Sequence, residues 1–194
     1  MDFANLILHF FYPTFCIHCG GSVEKKSHPL CPPCTELLDW IDHKTRCPIC
    51  AGPSPCSHCR KNPKPLRPHL SLFEGVGPIT DLYYEFLKTK RPHFLASLIL
   101  LALSRSSFPI PDGIVPATQK LFPKKSPSYL LAASVARLLK VPLLLPNGSL
   151  QDKTLLLITP TLQATDTLLT FKRHLKTFFP EKVYSLALID ERLQ

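Results

Sequence analysis

The chain has 194 residues, a length that suits one ordinary domain or a small module joined to a compact one, and that excludes a large multidomain protein. Hydrophobic residues make up 45% and charged residues 19%, so the chain can bury a core and is not disordered by composition. Twenty-one prolines against seven glycines predict stiff turns and linkers. The formal net charge of +9 is compatible with a nucleic-acid partner.

The first fifteen residues superficially resemble a secretion signal. Asp2 stands where such a signal carries positive charge, and no small-residue cleavage site precedes Cys16. The longest apolar stretch, residues 94–103, is interrupted only by Ser97 and is about half of the roughly 20 residues that a membrane span needs. We therefore expect a buried helix there, no membrane span and a cytoplasmic protein.

All eight cysteines lie between residues 16 and 59, in four Cys-x-x-Cys pairs. The pairs are Cys16/Cys19, Cys31/Cys34, Cys47/Cys50 and Cys56/Cys59. A pattern of Cys-Ile-His-Cys-Gly-Gly and then Cys-Pro-Pro-Cys is followed by Cys-Pro-Ile-Cys-Ala-Gly and then Cys-Ser-His-Cys. This repetition indicates an internal duplication.

The cysteine spacing predicts two structural zinc sites. Thiolates at this spacing hold a metal ion from a tight turn, and two pairs complete a closed tetrahedral site with Zn–S bonds of about 2.3 Å. A disulfide framework would need an oxidising compartment, and a redox dithiol would need fewer pairs. His18 and His58 lie inside pairs, but we expect them to be exposed neighbours of the metal because eight thiols already suffice.

Two questions about this cysteine-rich module stay open in the sequence. Sequential pairing follows the duplication, whereas a cross-braced arrangement is an alternative because only five residues separate Cys50 from Cys56. The module is either a folding staple for residues that cannot build their own core or a docking surface for nucleic acid or protein.

A Pro-rich basic stretch follows the last cysteine and predicts a semi-rigid linker. We predict a cysteine-rich zinc-binding module over residues 1–62, a linker over 63–72 and an α/β domain over 73–194. In this domain we predict strands at 70–74, 114–117, 141–145, 155–159 and 183–189, and helices at 79–87, 92–103, 127–140 and 166–178. Strands that alternate with helices indicate a mainly parallel sheet with helices on both faces.

Several motifs in this order resemble one known family. They are the Phe-Tyr-Pro-x-x-Cys-x-x-Cys-Gly opening, the cysteine-rich front, Gly77-Pro78-Ile79 through Leu87-Lys88, Ile114-Val115-Pro116 and the strand of leucines near the C-terminus. Over nearly its whole length the chain is similar to the ComF family of competence proteins, also called amidophosphoribosyltransferase-like or GntX-like. The resemblance implies an N-terminal zinc finger joined to a phosphoribosyltransferase-type α/β domain, and a role in DNA uptake during natural transformation.

The resemblance also implies a phosphate loop, which is degenerate here. In phosphoribosyltransferases a strand ends in two acids that hold the ribose hydroxyls, and a loop of Thr-Thr-Gly type cradles the 5′-phosphate at a helix N-terminus. The corresponding positions of this chain are Thr159, Pro160, Thr165, Asp166 and Thr167. The two acids and the loop glycine are missing, and Asp166 would repel a phosphate. The family's basic run after Ile-Val-Pro and its Thr-x-x-Gln segment are also eroded, so we expect the fold without catalytic residues, and no binding of phosphoribosyl pyrophosphate or Mg²⁺.

Basic residues at the junction are the nucleic-acid candidates: Arg60, Lys61, Lys64 and Arg67. A positive groove with aromatic side chains holds single-stranded nucleic acid, although surface lysines are often only solvated. The first hypothesis is therefore a ComF-like protein that binds single-stranded DNA or competence partners on a catalytically degenerate scaffold. The second is an active phosphoribosyltransferase of divergent specificity, and the third is a zinc-stabilised interaction scaffold without nucleic acid.

Overall fold

The computed structural model describes residues 14–23, 28–61, 63, 65–118, 126–145 and 150–192. Most of the N-terminal segment that we tested for a secretion signal lies outside these residues. Lys64, one of the four nucleic-acid candidates, and the side chain of His58 also lie outside the described part.

The front of the described chain holds two very short strands and two short helices. These are β1 (Thr14–Phe15), β2 (Ser22–Val23), α1 (Pro32–Glu36) and α2 (Ser57–Lys61). Strands β1 and β2 pair antiparallel around the first cysteine pair. Each helix begins directly after the first cysteine of a later pair, Cys31 for α1 and Cys56 for α2. The repeated sequence pattern therefore has a counterpart in repeated local structure.

The back of the described chain alternates strands with helices, as predicted. The strands are β3 (His69–Glu74), β4 (Gly113–Pro116), β5 (Thr154–Leu162) and β6 (Lys182–Asp190). The helices are α3 (Pro78–Thr89), α4 (His93–Arg105), α5 (Pro127–Leu139) and α6 (Thr165–Lys176). Among the described residues, no helix is long and apolar enough to cross a membrane.

The four long strands form one parallel sheet in the order β3-β6-β5-β4. The predicted parallel α/β architecture is thereby confirmed. The predicted strand over 141–145 is wrong in extent, because only a single parallel bridge joins Leu143 to Ile114. Pro142 has no N–H to donate, so the ladder cannot extend on that side of the bridge.

Both faces of the sheet are covered, which explains why β5 reads as a nearly unbroken apolar run. Leu156 and Ile158 belong to the core that α3, α4 and α5 cover. Leu155 and Leu157 point to the opposite face and pack in the core under α6. Successive residues of a strand point to opposite faces, so this alternation places one helical layer on each side.

The start of α5 follows the predicted capping signal, and the start of α4 differs from the prediction by one residue. The Ser126 hydroxyl caps α5 by accepting a hydrogen bond from the Tyr129 N–H at 3.2 Å. Pro92 precedes α4 as its cap residue instead of forming its first turn. Gly77, at φ +69°, occupies a left-handed conformation directly before α3, where a side chain would be strained.

The cysteine-rich module covers the outer edge of β3, which is an edge strand in the sheet order. The Ile41 N–H donates to Leu72 O at 2.9 Å, and an antiparallel bridge joins Trp40 to Phe73, whose rings lie 4.3 Å apart. An uncovered sheet edge is a site of unwanted pairing. The module therefore packs along β3 and covers the edge of the sheet.

One residue of the Pro-rich segment after the last cysteine is packed into the core. Leu66 is fully buried in the core under α6. Residues 69–72, which we predicted as the end of the linker, belong to strand β3. The division of the chain into module, linker and domain remains a prediction.

Candidate functional site

The eight cysteine sulfurs gather into two groups of four. The first group is Cys16, Cys19, Cys31 and Cys34, and the second is Cys47, Cys50, Cys56 and Cys59. Within each group all four sulfurs lie within 4.8 Å of one another, and none of the eight cysteines forms a disulfide. Neighbouring pairs therefore combine sequentially, and the cross-braced alternative is wrong for this structure.

The spacing of the sulfurs fits a tetrahedral metal ion. Zn–S bonds of about 2.3 Å at tetrahedral angles place the sulfurs about 3.8 Å apart. The Sγ atoms of Cys19 and Cys31 are 3.6 Å apart, and those of Cys50 and Cys56 are 3.7 Å apart. Each group is thus positioned to bind one metal ion with four sulfur ligands.

The first cysteine pair of each group lies in the same tight turn. In both turns the residue after the second cysteine donates its N–H to the carbonyl of the first, and the next glycine donates its N–H to the sulfur of the second. These bonds are Gly20 N to Cys16 O (2.9 Å), Gly21 N to Cys19 Sγ (3.4 Å), Ala51 N to Cys47 O (3.0 Å) and Gly52 N to Cys50 Sγ (3.4 Å). The repeated geometry presents two sulfurs of each group on one side of the chain.

Each group contains one thiol whose pKa is lowered and one whose pKa is raised. Burial opposes ionisation of Cys16 and Cys47, but backbone N–H groups in their turns outweigh it and lower the pKa to about 6 and about 7 respectively. Burial and the neighbouring thiols raise the pKa of Cys34, and they raise that of Cys50 to about 12. A divalent cation would offset this repulsion among thiolates.

Arg192 attaches the second cysteine group to the end of β6. Its guanidinium donates to Cys50 O at 2.8 Å and to Ala51 O at 3.1 Å. It also forms a bidentate pair with Asp190, at 2.6 and 2.8 Å. Burial alone would raise the pKa of the Asp190 carboxyl, but Arg192 lowers it. Sequence reasoning missed this pair, and its only signal was an Asp-x-Arg directly after an apolar strand.

One ion pair and one histidine–carboxylate contact also attach the module to the α/β part. Arg46, directly before the second cysteine group, pairs with Glu74, the last residue of β3. His18, inside the first cysteine pair, lies 2.7 Å from Asp81 of α3, measured from Nδ1 to Oδ2. His18 therefore faces a carboxylate instead of joining the sulfur group, in agreement with its predicted position beside the metal.

Strand β5 runs three residues past its predicted end, so Thr159 and Pro160 lie inside the strand. The extension is a correction to the expectation that the strand stops there. Ile158 O accepts from the Ala117 N–H at 2.9 Å, so residue 160, two positions on, faces the side where β4 has already ended. The missing N–H of the proline therefore interrupts no ladder bond.

A cleft of about 110 Å³ lies where β5 meets α6. Thr159, Thr161 and Thr167 line it, and none of its lining residues within the described chain is acidic. The Thr159 hydroxyl donates to Thr161 O at 2.9 Å. The Thr165 hydroxyl accepts from Arg192 at 3.2 Å. These two hydroxyls are thus already hydrogen-bonded within the protein.

Asp166 lies in the first turn of α6, where the helix N-terminus would otherwise favour an anion. Its side chain is exposed, and the preceding cap residue, Ala164, offers no side-chain acceptor. A strand, a short loop and a helix thus follow one another here, but Thr159 and Pro160 lie inside the strand and not at its end.

The junction candidates fall into two sets. Arg60 and Lys61 are exposed on α2. Arg67 is exposed as well, but its guanidinium donates to Cys47 O at 3.3 Å and to His43 O at 3.5 Å. Arg67 therefore contributes to holding the second cysteine group in addition to presenting positive charge.

Comparisons of the chain with models of known families, with curated proteins and with solved structures returned no match. The likeness to the ComF family therefore rests on the motifs of this sequence and stays a hypothesis. The α/β fold and the two four-cysteine groups stand on the structure itself.

Proposed function

We propose that the protein is a ComF-like, non-enzymatic zinc protein that takes part in DNA uptake, by binding single-stranded DNA or competence partners on a phosphoribosyltransferase-like scaffold. The observation that carries this proposal is the β5–α6 junction. Thr159 and Pro160, which lie in β5 just before this junction, take the place of the two acids that a transferase needs.

Each cysteine group holds one structural Zn²⁺ in this proposal. Four thiolates are a ligand set that structural zinc prefers, and the sulfur separations of 3.6 and 3.7 Å support a tetrahedral ion. A site closed by four protein ligands has no position for substrate, so the zinc supplies folding free energy and no chemistry.

The residues at the β5–α6 junction support a binding function over phosphoribosyl transfer. Phosphoribosyl pyrophosphate with Mg²⁺ needs carboxylates for the ribose and a cradle of backbone N–H groups for the phosphate. The cleft of about 110 Å³ is well below the roughly 300–1,000 Å³ of ordinary ligand pockets. Asp166 adds negative charge at the helix end where a phosphate would have to lie.

Single-stranded DNA is the polyanion that the proposal favours. The formal net charge of +9 and the exposed Arg60 and Lys61 support an anionic partner. The choice of DNA uptake as the process comes from the resemblance to the ComF family. Both parts of the proposal can be tested on the purified full chain.

The test measures three properties of zinc-loaded protein in parallel: metal content, binding of a fluorescent oligothymidylate by anisotropy, and binding of phosphoribosyl pyrophosphate with Mg²⁺ by calorimetry. We expect two zinc ions per chain, salt-sensitive oligothymidylate binding and no heat from the pyrophosphate. Saturable Mg²⁺-dependent binding would instead identify a divergent transferase. If the protein binds neither oligothymidylate nor phosphoribosyl pyrophosphate, the nucleic-acid function is refuted and the interaction scaffold is the remaining hypothesis.

A further inference from the structure

A basic groove of about 310 Å³ lies at the amino end of the sheet. It runs between α6 and the segment that precedes β3, at the end of the sheet where β6 begins. Five basic residues and one acid line it: Arg67, Lys172, Arg173, Lys176, Lys182 and Glu181. Only Arg67 among them belongs to the junction candidates, and neither Arg60 nor Lys61 lines the groove.

Lys172 lies deepest in this basic groove, since only 6% of its surface is exposed. Its ammonium group donates to Leu66 O at 2.7 Å and to Pro68 O at 3.2 Å. An ammonium group has three N–H donors, so one remains after these two bonds. Lys172 forms no ion pair with any acid in the described part of the chain. A buried cation without a paired carboxylate is costly unless an anion reaches it.

The rim of the groove adds four exposed cations to this buried one. Within the described ranges, Arg173, Lys176 and Lys182 form no ion pair. Burial, followed by the positive charge of Lys176, lowers the pKa of Lys172 to about 8. Converging like charges oppose one another until a counter-charge enters, so the groove is suited to an anion.

The shape and surroundings of the groove favour the phosphate backbone of a single-stranded nucleic acid over an anionic membrane surface. A concave cleft can follow a narrow polyanion, whereas a membrane surface is matched by a flat basic face. Phe179, which is 77% exposed, lies in the chain between Lys176 and Lys182. Exposed aromatic rings are the side chains on which proteins stack the bases of single strands.

We propose that this basic groove binds the phosphate backbone of single-stranded nucleic acid. The choice of polyanion rests on the proposed function, whereas the position of the site rests on the groove. The bound nucleic acid would thus cross the protein at the amino end of the sheet, away from the β5–α6 cleft and from α2.

The test compares two triple variants that remove equal charge. The groove variant carries Arg173→Gln, Lys176→Gln and Lys182→Gln, and the control carries Lys88→Gln, Lys90→Gln and Arg91→Gln at exposed positions in and after α3. Arg67 and Lys172 stay unchanged, because their hydrogen bonds to backbone carbonyls stabilise the folded structure. Zinc content and circular dichroism must match those of the unmodified protein in both variants.

We expect the groove variant to bind oligothymidylate about 100-fold more weakly near 0.1 M salt, and its log–log salt slope to fall by about 2, since each lost phosphate contact removes about 0.7. The control variant should keep the slope of the unmodified protein. Equal losses in both variants would overturn the groove assignment and leave the proposed function standing. No binding by the unmodified protein would overturn both.

A vesicle experiment separates nucleic acid from a membrane surface. We expect phosphatidylserine vesicles to bind weakly and not to compete with oligothymidylate. Vesicle binding that is tighter than oligothymidylate binding, and that the groove variant loses, would overturn the nucleic-acid assignment in favour of a lipid surface.

Discussion

Replacing Arg192 with alanine should loosen the second cysteine group and destabilise the whole protein. The Arg192 guanidinium neutralises Asp190 and holds the carbonyls of Cys50 and Ala51. The alanine variant keeps the backbone N–H of residue 192, which donates to Asp190 Oδ1 at 3.2 Å, but it removes the guanidinium from the carboxylate and from both carbonyls. The effect therefore combines a buried unpaired charge with a lost connection between module and sheet.

The magnitude follows from burial. The side chain of Asp190 is completely buried and that of Arg192 is only 10% exposed. Removing one partner of a buried ion pair costs about 3–5 kcal/mol, because the remaining charge is uncompensated. A typical free energy of unfolding is about 5–15 kcal/mol, so this loss is a large part of the total.

Urea unfolding of zinc-loaded protein, followed by circular dichroism, measures the loss. Arg105→Ala is the matched control, since Arg105 is exposed on α4 and pairs with no acid in the described ranges. We expect this control to change the free energy of unfolding by less than about 0.5 kcal/mol. Adding Asp190→Asn to the Arg192 variant should restore at least about 1 kcal/mol by removing the buried charge. A loss below about 1 kcal/mol in Arg192→Ala, or no recovery in the double variant, would refute the reasoning.

Three further predictions concern the metal, the phosphate loop and the groove. Complete removal of zinc by a chelator should shift the fluorescence of Trp40, the only tryptophan, to the red, because its contact with Phe73 depends on the module; an unchanged spectrum would contradict this. Calorimetry should detect no phosphoribosyl pyrophosphate binding to Pro160→Asp, because the loop still lacks glycine and keeps Asp166; Mg²⁺-dependent heat would count against a degenerate site. Oligothymidylate affinity should fall about fivefold between pH 7 and pH 9, because Lys172, beside Arg67, Arg173, Lys176, Lys182 and Glu181, has a pKa of about 8 and loses its charge; a flat profile would exclude Lys172 from binding.

Local patterns in the sequence predicted most of the elements and the four cysteine pairs. The Cys-x-x-Cys spacing determines a tight turn by itself, so the pairs could be predicted without knowing the fold, whereas the combination of pairs into two groups needed the structure. Apolar runs such as residues 155–158 predicted strands because both sheet faces are covered and every position in the run is buried.

Long-range contacts were beyond the reach of these patterns. The pairing of Ile41 with Leu72 covers a sheet edge, and nothing near residue 41 indicates which strand is the edge. The continuation of β5 through Pro160 depends on where β4 ends, a feature of another segment. The basic groove likewise combines residues from positions 67, 172–176 and 182 that only the fold brings together.

The position of the cysteine-rich module bears on where a ligand can bind. Open parallel sheets bind ligands at the carboxyl ends of their strands. Two of these ends are engaged by the module here, because Arg46 pairs with Glu74 at the end of β3 and Arg192 holds the module at the end of β6. A third end, that of β5, meets the cleft of about 110 Å³, which no acidic residue of the described chain lines. The usual ligand edge of the sheet thus holds the cysteine-rich module, and the basic groove lies at the opposite end. We infer that this arrangement suits the polyanion binding proposed above.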